Sequence, residues 1–366
     1  MAKATESYGE WPLERLMTEV VGSGHKSADD MTRAQASEAF RRVLDGEPDP
    51  TTLGAFWLAN RWKRNTPEEL AAFVDVMDEG VETAAPDCDP VDCGANYDGK
   101  GRSAVFGVAA GLVAAAAGTP VVAHSGDRVP TQRQDAYKHV LDALDVRTDL
   151  APAESAAMTD EVGFGFYYRP NFAPDVEALD DRRARMGVRT FVNTIETLAN
   201  PAAASTHLGS FYHLPYAKRI IDTFEQSETA DVDRVVMFQG MEGYDDVRPG
   251  STKVAVWNEP GSGRAVEPGR DGEELDDFEV ETPEYGMDFE EADLHVDDVA
   301  ADSAAITEAV LEGDREDEFA DAIAVNAALR IYAAGDAEDI RDGLESAREA
   351  LESGAAAGRL EALRAF

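Results

Sequence analysis

Hydrophobic and polar positions along residues 11–80 follow the three- and four-residue spacing of amphipathic helices. The segment "DDMTRAQASEAFRRVLDGEPDP" begins with Asp and Thr, which favour helix starts, and ends at a Gly followed by prolines. The segments "DPTTLGAFWLANRWKR" and "TPEELAAFVDVMDEG" repeat this pattern. We therefore predict an all-helical domain over residues 1–86, joined by helices from about 185–220, with the prolines of "APDCDP" marking its boundary.

Beyond residue 86, short apolar runs alternate with helical segments. The runs "TPVVAHSG", "VGFGFYYRP", "RVVMFQG" and "TKVAVWN" are typical of buried strands, and an apolar helix is predicted over residues 104–117. The acidic stretch 259–301 is predicted as strands and loops, and helices follow it. This alternation predicts a larger α/β domain over residues 87–366, with a central mixed or parallel sheet.

Three loops lie where a sheet of this kind binds ligands, beyond the carboxyl ends of its strands. They are predicted at residues 94–102, 124–133 and 239–248. The first belongs to a segment that we call the glycine loop (residues 94–103), which reads "GANYDGKGRS". It follows a short apolar run and precedes a helix, whose free amide groups favour anions. The sequence therefore predicts an anion-binding loop at this point.

The charge of the chain is strongly negative. Asp and Glu number 73 against 33 Lys and Arg, which gives a formal net charge of −40, and few of the basic residues are lysines. With 43% hydrophobic residues, the chain has enough apolar content to fold. This composition is typical of proteins from extreme halophiles, because concentrated salt screens the repulsion between carboxylates. Binding of a cationic partner is the alternative explanation.

Other classes of protein are disfavoured by the sequence. No apolar run reaches the ~20 residues that a membrane helix needs, and the first residues lack the apolar core of a signal peptide. Cys88 and Cys93 are the only cysteines, and we expect free thiols. The sequence therefore predicts a cytoplasmic protein that does not bind a membrane.

Basic residues cluster in two places in this acidic chain. The first group lies at positions 100–138 and the second at positions 169–189: Lys100, Arg102, Arg128, Arg133 and Lys138, then Arg169, Arg182, Arg183, Arg185 and Arg189. A group of converging cations indicates an anionic ligand such as a phosphate or diphosphate. Local salt bridges with neighbouring carboxylates are the alternative.

A cluster of carboxylates follows the strand "RVVMFQG". Glu242, Asp245 and Asp246 lie in a segment that we call the acidic turn (residues 241–247). Carboxylates at the end of a strand suit Mg²⁺, which binds a few protein oxygens and completes its shell with water and substrate phosphate. A solvated turn without a metal is the alternative.

These segments resemble the anthranilate phosphoribosyltransferase family, part of glycosyltransferase family 3. The resemblance runs nearly the full length and is most specific in "YYRPNFAPDVEALDDRRARMGVRTFVNTIETLANP". "LDGEPDPTTLGAFWLANRWKRNTPEELAAF" is similar to the helical domain of the family, and "TPEYGMD" and "AVLEG" are similar to its C-terminal half. The resemblance implies a nucleoside phosphorylase or phosphoribosyltransferase-like fold. It also implies Mg²⁺-dependent binding of phosphoribosyl diphosphate and a homodimer formed through the helical domain.

The resemblance also implies three groups of site residues. Phosphoribosyl diphosphate would contact Gly94, Asn96, Asp98, Gly99, Lys100, Arg102, Ser103, Gly126, Asp127, Arg128 and Thr131. The acceptor would contact His124 and Arg183, and Mg²⁺ would be held by Asp245 and Asp246. No catalytic side chain is assigned, because the reaction requires stabilisation of a departing diphosphate and a cationic sugar rather than covalent chemistry from the protein.

Two loops depart from the pattern of the family. The family's diphosphate loop has a Gly-Thr-Gly-Gly-Asp pattern followed by an Asn and a Ser-Thr pair, and here Val105, Gly107 and Val108 stand at the last three positions. The family's Lys-His-Gly-Asn loop reads "HSGD" here. These changes look like the second, TrpD-like branch of the family, some members of which bind nucleic acid and lack anthranilate transfer.

The sequence thus leads to two functional hypotheses, and a catalytically silent paralogue is a third alternative. In the first, the protein is a glycosyltransferase that moves a phosphoribosyl group to an amine or related acceptor, and its altered loops argue against anthranilate itself. In the second, it is a non-catalytic paralogue that binds nucleic acid or a nucleotide through a basic groove. Against the second stands the net charge of −40, which repels a polyanion at long range.

Overall fold

The computed structural model describes residues 11–22, 24, 26–94, 97–260 and 276–366. The chain forms two compact units. The helical unit contains Met1–Val81, Ala173–Ala199 and Arg219–Ala230, and the α/β unit contains Glu82–Phe172, Asn200–Lys218 and Asp231–Phe366.

The α-helices of the described residues are distributed over both units. In chain order they are α1 (Leu13–Leu16), α2 (Arg33–Leu44), α3 (Pro50–Lys63), α4 (Pro67–Asp78), α5 (Gly107–Ala117), α6 (Tyr137–Ala143), α7 (Pro152–Val162), α8 (Arg169–Phe172), α9 (Pro174–Glu177), α10 (Asp180–Met186), α11 (Val192–Ile195), α12 (Leu214–Gln226), α13 (Val299–Leu311), α14 (Glu318–Ala334), α15 (Ile340–Glu352) and α16 (Ala355–Ala365).

The helical unit is built on well-capped helices around an aromatic centre. Thr32 and Thr66 cap α2 and α4 in reciprocal capping boxes, and Asp49 accepts from the first amides of α3. These caps satisfy amide groups that would otherwise lack partners. Inside, Phe191 stacks on Phe73, with 4.2 Å between ring centroids. This contact joins the segment 173–199 to the first helices of the same unit.

The α/β unit is organised around a seven-stranded sheet. Its strands are β1 (Val91–Cys93), β2 (Val121–Ser125), β3 (Phe164–Tyr168), β4 (Thr206–Phe211), β5 (Arg234–Gln239), β6 (Ser251–Asn258) and β7 (Asp276–Glu281). Their order across the sheet is β3-β2-β1-β4-β5-β6-β7. The first five strands in this order run parallel, and β6 and β7 are antiparallel additions.

Burial explains the character of the strands. Every residue of β2 and nearly all of β5 is buried, as expected for parallel strands covered on both faces. The strand β7 alternates instead, with Val280 buried and acidic residues facing solvent, which discourages pairing with other chains. On one side of the sheet the apolar helix α5 is buried by its packing against α14, α15 and α16.

The predicted fold class is confirmed by this arrangement of helical unit and α/β unit. Two details differ from the prediction. The helix predicted over residues 104–117 begins at Gly107, and the amides of Ala104 and Val105 before it bond to Leu294 and Ser303. The strand β4 was not predicted, although it lies at the centre of the sheet.

Among the described residues, no helix combines the length and the apolar character needed to cross a membrane.

Candidate functional site

The candidate site lies beyond the carboxyl ends of the parallel strands of the α/β unit. The chain runs from β1 outward through β2 to β3, then returns to place β4 on the other side of β1. This reversal creates a switch point between β1 and β4, the position where open α/β sheets bind ligands. The glycine loop follows β1 and the acidic turn follows β5, so both lie at this edge.

The acidic turn is held in a tight conformation. Gly240 pairs with Val247 across its base, and a Cβ atom at Gly240 would lie 1.8 Å from the carbonyl oxygen of Tyr244. Glu242 has a φ of 55°, in the left-handed region that a residue with a side chain rarely adopts. Only glycine therefore fits at position 240, and the turn holds Glu242 in a strained backbone conformation.

A buried ion pair joins the glycine loop to the acidic turn. The Nζ atom of Lys100 lies 2.7 Å from Oδ2 of Asp246, and neither side chain is accessible to solvent. Lys100 Nζ also donates to the carbonyl oxygen of Ala104, and the Asp246 carboxylate accepts from the amide of Phe106 at 3.3 Å. An anion could therefore reach the Lys100 ammonium only by separating it from Asp246.

Glu242 makes a second contact between the same two segments. Its Oε1 atom accepts from the amide of Ser103 at 2.9 Å and from the Ser103 hydroxyl at 2.5 Å, and Oε2 lies 3.4 Å from the amide of Gly101. Burial alone would raise the pKa of the Glu242 carboxyl, but these hydrogen bonds and nearby Lys100 lower it below its ordinary value. Glu242 is therefore an anion bound in the glycine loop.

Asp245 is different from its neighbours. It is buried, and neither carboxylate oxygen accepts a hydrogen bond of good geometry from the described residues. Burial raises its pKa to about 6, although the nearby Ser210 hydroxyl and Arg330 favour the charged form. A buried carboxylate without donors requires a cation or a proton, because uncompensated buried charge is costly.

Arg330 supplies another buried cation to this region. It lies on α14, and its guanidinium donates to the carbonyl oxygen of Asn326 and to the Tyr137 hydroxyl, at 2.9 and 3.1 Å. Burial acts to lower its pKa, but the surrounding acidic groups, including Asp245 and Asp246, raise it above its ordinary value. Neither basic cluster predicted from the sequence includes Arg330. It lies far from both clusters in the sequence, and only the packing of α14 brings it near the acidic turn.

The loop that follows β2 lies beside the glycine loop. Lys100 donates its amide hydrogen to the carbonyl oxygen of Asp135 at 3.0 Å, and Arg128 binds the Asp135 carboxylate at 2.6 Å. Asp127 contacts the ring of His139 at 3.0 Å. The predicted residues of this loop therefore lie together with the glycine loop, and Arg128 is exposed but paired.

Behind the site lies a buried chain of polar groups. Asp92 contacts His207 at 3.0 Å through one oxygen and His124 at 3.3 Å through the other, and the second ring nitrogen of His124 contacts the Tyr97 hydroxyl. Burial would raise the pKa of the Asp92 carboxyl, but the two imidazoles lower it. His124 is therefore hydrogen-bonded to Tyr97 on one side, while on the other its ring nitrogen lies near Asp92 without a hydrogen bond of good geometry.

Arg183, the other residue predicted to bind the acceptor, belongs to the helical unit. Its two terminal nitrogens donate to the two oxygens of Glu196 at 2.9 and 2.7 Å, and one of them also contacts Asp180. Both members of the pair with Glu196 are buried. Such a bidentate pair occupies the face of the guanidinium that would hold a substrate carboxylate.

The structure thus brings together some of the predicted residues and not others. The predicted residues that the structure connects, directly or through Glu242, are Lys100, Ser103 and Asp246. Others are buried in the same unit: Gly94, Asp98, Gly99 and Gly126. Arg102 is exposed. The Thr131 hydroxyl has no hydrogen-bond partner among the described residues, and Asn96 lies outside them. Asp92 was not predicted as a site residue. The sequence feature that could have identified it is a charged residue inside the apolar run before the glycine loop.

No preformed cluster of three or more His, Cys, Asp or Glu side chains suited to a metal ion occurs in the described part of the chain. A metal in this region would therefore need oxygens from its ligand and from water, as Mg²⁺ commonly does.

Comparisons with known proteins agree with the predicted resemblance. Residues 98–357 match the model described as "Glycosyl transferase family, a/b domain", and residues 21–80 match "Glycosyl transferase family, helical bundle domain". The anthranilate phosphoribosyltransferase of Natronomonas pharaonis is 30% identical over 341 residues, covering 92% of this chain and 96% of that protein.

Two solved structures show the same fold. The anthranilate phosphoribosyltransferase of Thermus thermophilus superposes with a TM-score of 0.77 at 26% identity, covering 92% of this chain and 96% of that one. The enzyme of Saccharomyces cerevisiae, solved in complex with PRPP (phosphoribosyl diphosphate) and Mg, has a TM-score of 0.74 at 17% identity and covers 91% and 92% of the two chains. At this lower identity, the second structure shows the fold alone.

Proposed function

Because the chain belongs to the glycosyl transferase family, with the helical bundle and α/β domains of that family, we propose that it transfers a phosphoribosyl group from phosphoribosyl diphosphate to an amine or related acceptor, with Mg²⁺. Family membership agrees with the enzyme class predicted from the sequence. The single observation that carries the proposal is the buried Asp245 carboxylate, whose oxygens accept no hydrogen bond of good geometry from the described residues, near the switch point of the sheet.

The residues of the acidic turn fit Mg²⁺ through one carboxylate. Asp245 has two oxygens that accept no hydrogen bond of good geometry from the described residues, whereas Asp246 is neutralised by Lys100. Mg²⁺ is often held by one or two carboxylates together with substrate phosphates and water. Asp245 would therefore hold the ion, and Asp246 would position the glycine loop. When bound, Mg²⁺ would neutralise charge on the diphosphate.

The protein itself has two tasks in the proposed reaction. The bond between the anomeric carbon and the diphosphate oxygen breaks while the acceptor nitrogen bonds to that carbon. Negative charge therefore collects on the diphosphate, and the acceptor nitrogen releases a proton to solvent. Amide groups of the glycine loop would donate to this charge, whereas Arg128 and Lys100 would reach it only by exchanging their contacts with Asp135 and Asp246 for contacts with the diphosphate. Loops anchored to the sheet would hold phosphoribosyl diphosphate and the acceptor amine close together and correctly oriented.

We further propose that the acceptor is not anthranilate. Both residues predicted to contact the acceptor are buried beside carboxylates of the protein: Arg183 forms a bidentate pair with Glu196, and His124 lies 3.3 Å from Asp92. A substrate carboxylate would have to displace Glu196 from a buried bidentate contact. Its binding would therefore be less favourable than binding to an arginine with no such partner. An amine acceptor that carries no carboxylate, whether the rest of the molecule is neutral or positively charged, avoids this competition.

Nucleic acid binding, the alternative hypothesis, receives less support from the same contacts. Arg102, Arg128 and Lys138 each pair with a neighbouring carboxylate. Fewer free cations remain for a phosphate backbone, and the net charge of −40 opposes approach of a polyanion. The basic cluster is thus better suited to a small anionic ligand that binds with a metal.

Release of diphosphate tests the proposal. The protein would be incubated in molar KCl with phosphoribosyl diphosphate, Mg²⁺ and a panel of amines that includes anthranilate and ammonia. We expect acceptor-dependent release with at least one amine other than anthranilate, and its loss in Asp245→Asn. The exposed Asp314→Asn is the matched control and should keep full activity. Release with anthranilate alone would contradict the proposed acceptor class, and no release with any amine would contradict transfer.

A further inference from the structure

Several donors of the described part of the glycine loop are already bound by carboxylates of the protein. Glu242 accepts from the amide of Ser103, from its hydroxyl and, at longer range, from the amide of Gly101. Asp246 accepts from the Lys100 ammonium group of the loop and from the amide of Phe106, which lies between the loop and α5. Both carboxylates come from the acidic turn, so one segment supplies the anions and the other supplies the donors.

The Glu242 carboxylate resembles a bound phosphate in its contacts. Phosphate oxygens bind to main-chain amides and hydroxyl groups of glycine-rich loops before a helix, and α5 begins four residues after Ser103. The Glu242 carboxylate has the same kinds of donors, with the Arg102 guanidinium 3.6 Å away as a nearby cation. A carboxylate and a phosphate could not occupy these donors together, because their charges repel and each donor has one hydrogen to give.

The backbone conformation of the acidic turn fixes the position of Glu242 beside the glycine loop. A φ of 55° is unfavourable for a residue with a Cβ atom, whereas Gly243 beside it adopts a positive φ without strain. The turn therefore stores strain at the residue whose side chain enters the loop.

We propose that Glu242 is an internal substitute for the ligand anion, which occupies the glycine loop until phosphoribosyl diphosphate displaces it. This inference rests on the proposed function, in which the loop binds the diphosphate. Glu242 then determines selectivity, because a ligand must bring enough negative charge to replace a carboxylate that is already hydrogen-bonded. Weakly charged anions such as acetate or chloride fail this requirement even in concentrated salt, whereas a diphosphate with its metal meets it.

The competition makes a quantitative prediction for binding. A ligand that must displace an internal group binds with an affinity reduced to the fraction of molecules in which that group has left the loop. Removing the charge in Glu242→Gln should therefore tighten the binding of inorganic diphosphate by about tenfold. The matched control is Glu291→Gln, which removes the other carboxylate near Arg102 without touching the loop amides, and its affinity should stay within about twofold of the wild type.

The experiment combines calorimetry with hydrogen exchange on the full chain in molar KCl. Inorganic diphosphate would be titrated into the wild type, Glu242→Gln and Glu291→Gln, with Mg²⁺ and with a chelator. Exchange of the Gly101 and Ser103 amides would be followed without ligand, and it should be faster in Glu242→Gln than in the wild type. Tighter binding by Glu242→Gln together with this loss of protection supports the inference.

The outcomes separate the inference from the proposed function. Equal or weaker binding by Glu242→Gln, while the wild type binds diphosphate, overturns the inference and leaves the function standing. Equal exchange of the Gly101 and Ser103 amides in Glu242→Gln and the wild type would by itself overturn the inference. It would show that the Glu242 carboxylate does not protect these amides. If none of the three proteins binds diphosphate, both the inference and the proposed function fail.

Discussion

The ammonium group of Lys100 and the carboxylate of Asp246 form an ion pair that is fully buried and joins segments 146 residues apart in the chain. The pair connects the loop after β1 to the turn after β5. Removing charges from water is costly, and the geometry here offsets that cost through further hydrogen bonds to Ala104 and Phe106. The pair therefore positions the two loops that form the candidate site.

Replacing one member of this pair should destabilise the protein strongly. Lys100→Met leaves the Asp246 carboxylate buried without its cation, and we expect the free energy of unfolding to fall by about 3–5 kcal/mol. Urea denaturation in molar KCl measures this change. Lys138→Met removes a partly exposed pair with Asp142 and should cost at most about 1 kcal/mol. Equal losses in the two variants would contradict a special role for the buried pair.

Gly240 allows the acidic turn to close on itself. In Gly240→Ala the new Cβ atom would meet the carbonyl oxygen of Tyr244, so the turn must open. We expect a loss of about 1–3 kcal/mol in stability together with weaker binding of phosphoribosyl diphosphate, measured by calorimetry. Gly358→Ala in α16 is the control, since its Cβ atom enters open space and should stabilise that helix slightly. Unchanged ligand binding in Gly240→Ala would show that the turn does not shape the site.

Asp78 in the helical unit should make stability depend on pH. Burial raises its pKa to about 6, which the hydrogen bond from Thr229 only partly offsets. Because the pKa is higher in the folded state than in the unfolded state, this group's contribution is present at low pH and is lost as pH rises through about 6. Asp78→Asn should therefore stabilise the protein by about 2 kcal/mol above about pH 7 and change little near about pH 4. Urea denaturation at the two pH values measures both effects.

Asp75 provides the contrast to Asp78. Its carboxylate accepts from Ser227, Thr229 and the amide of Glu228, and it pairs with Arg33. Asp75→Asn should therefore destabilise the protein at neutral pH instead of stabilising it. Destabilisation by Asp78→Asn at neutral pH, in the same direction as Asp75→Asn, would contradict the raised pKa of Asp78.

The acidic composition predicts a dependence on salt. At a net charge of −40 the folded chain repels itself, and molar salt shortens the screening length to about 3 Å. We expect Tm to rise by about 10 °C or more between about 0.2 M and 2 M KCl. Sucrose at matched osmolality should raise Tm less, because it does not screen charge. Equal effects of sucrose and KCl would contradict the adaptation inferred from the composition.

Much of the fold could be predicted from the sequence because its buried strands are apolar. The runs that became β2, β3, β5 and β6 have few polar residues, and their alternation with helices predicted the α/β class that the structure confirms. The strand β4 escaped prediction because Thr206, His207 and Ser210 interrupt its apolar pattern. His207 is buried against Asp92, which lies in a strand 115 residues away, and such a partner is not visible in a local pattern.

The candidate site was predictable in position but not in its internal contacts. Loops at the ends of β1 and β5 could be identified from the order of elements, and their acidic and basic residues were visible. The sequence did not reveal that Lys100 and Ser103 are bound by Asp246 and Glu242, because these pairs form only when the sheet places distant loops side by side. Charge counts alone therefore overstated the number of cations free for a ligand.

Calorimetric titration of phosphoribosyl diphosphate into the full chain in molar KCl tests the proposed function most directly. It would be performed with Mg²⁺ and with a chelator, on the wild type, Asp245→Asn and the surface variant Asp314→Asn. We predict Mg²⁺-dependent binding that Asp314→Asn retains and that Asp245→Asn weakens by at least about tenfold. Binding of equal strength in Asp245→Asn, or no binding by the wild type with Mg²⁺, would contradict the proposed role of the buried carboxylate.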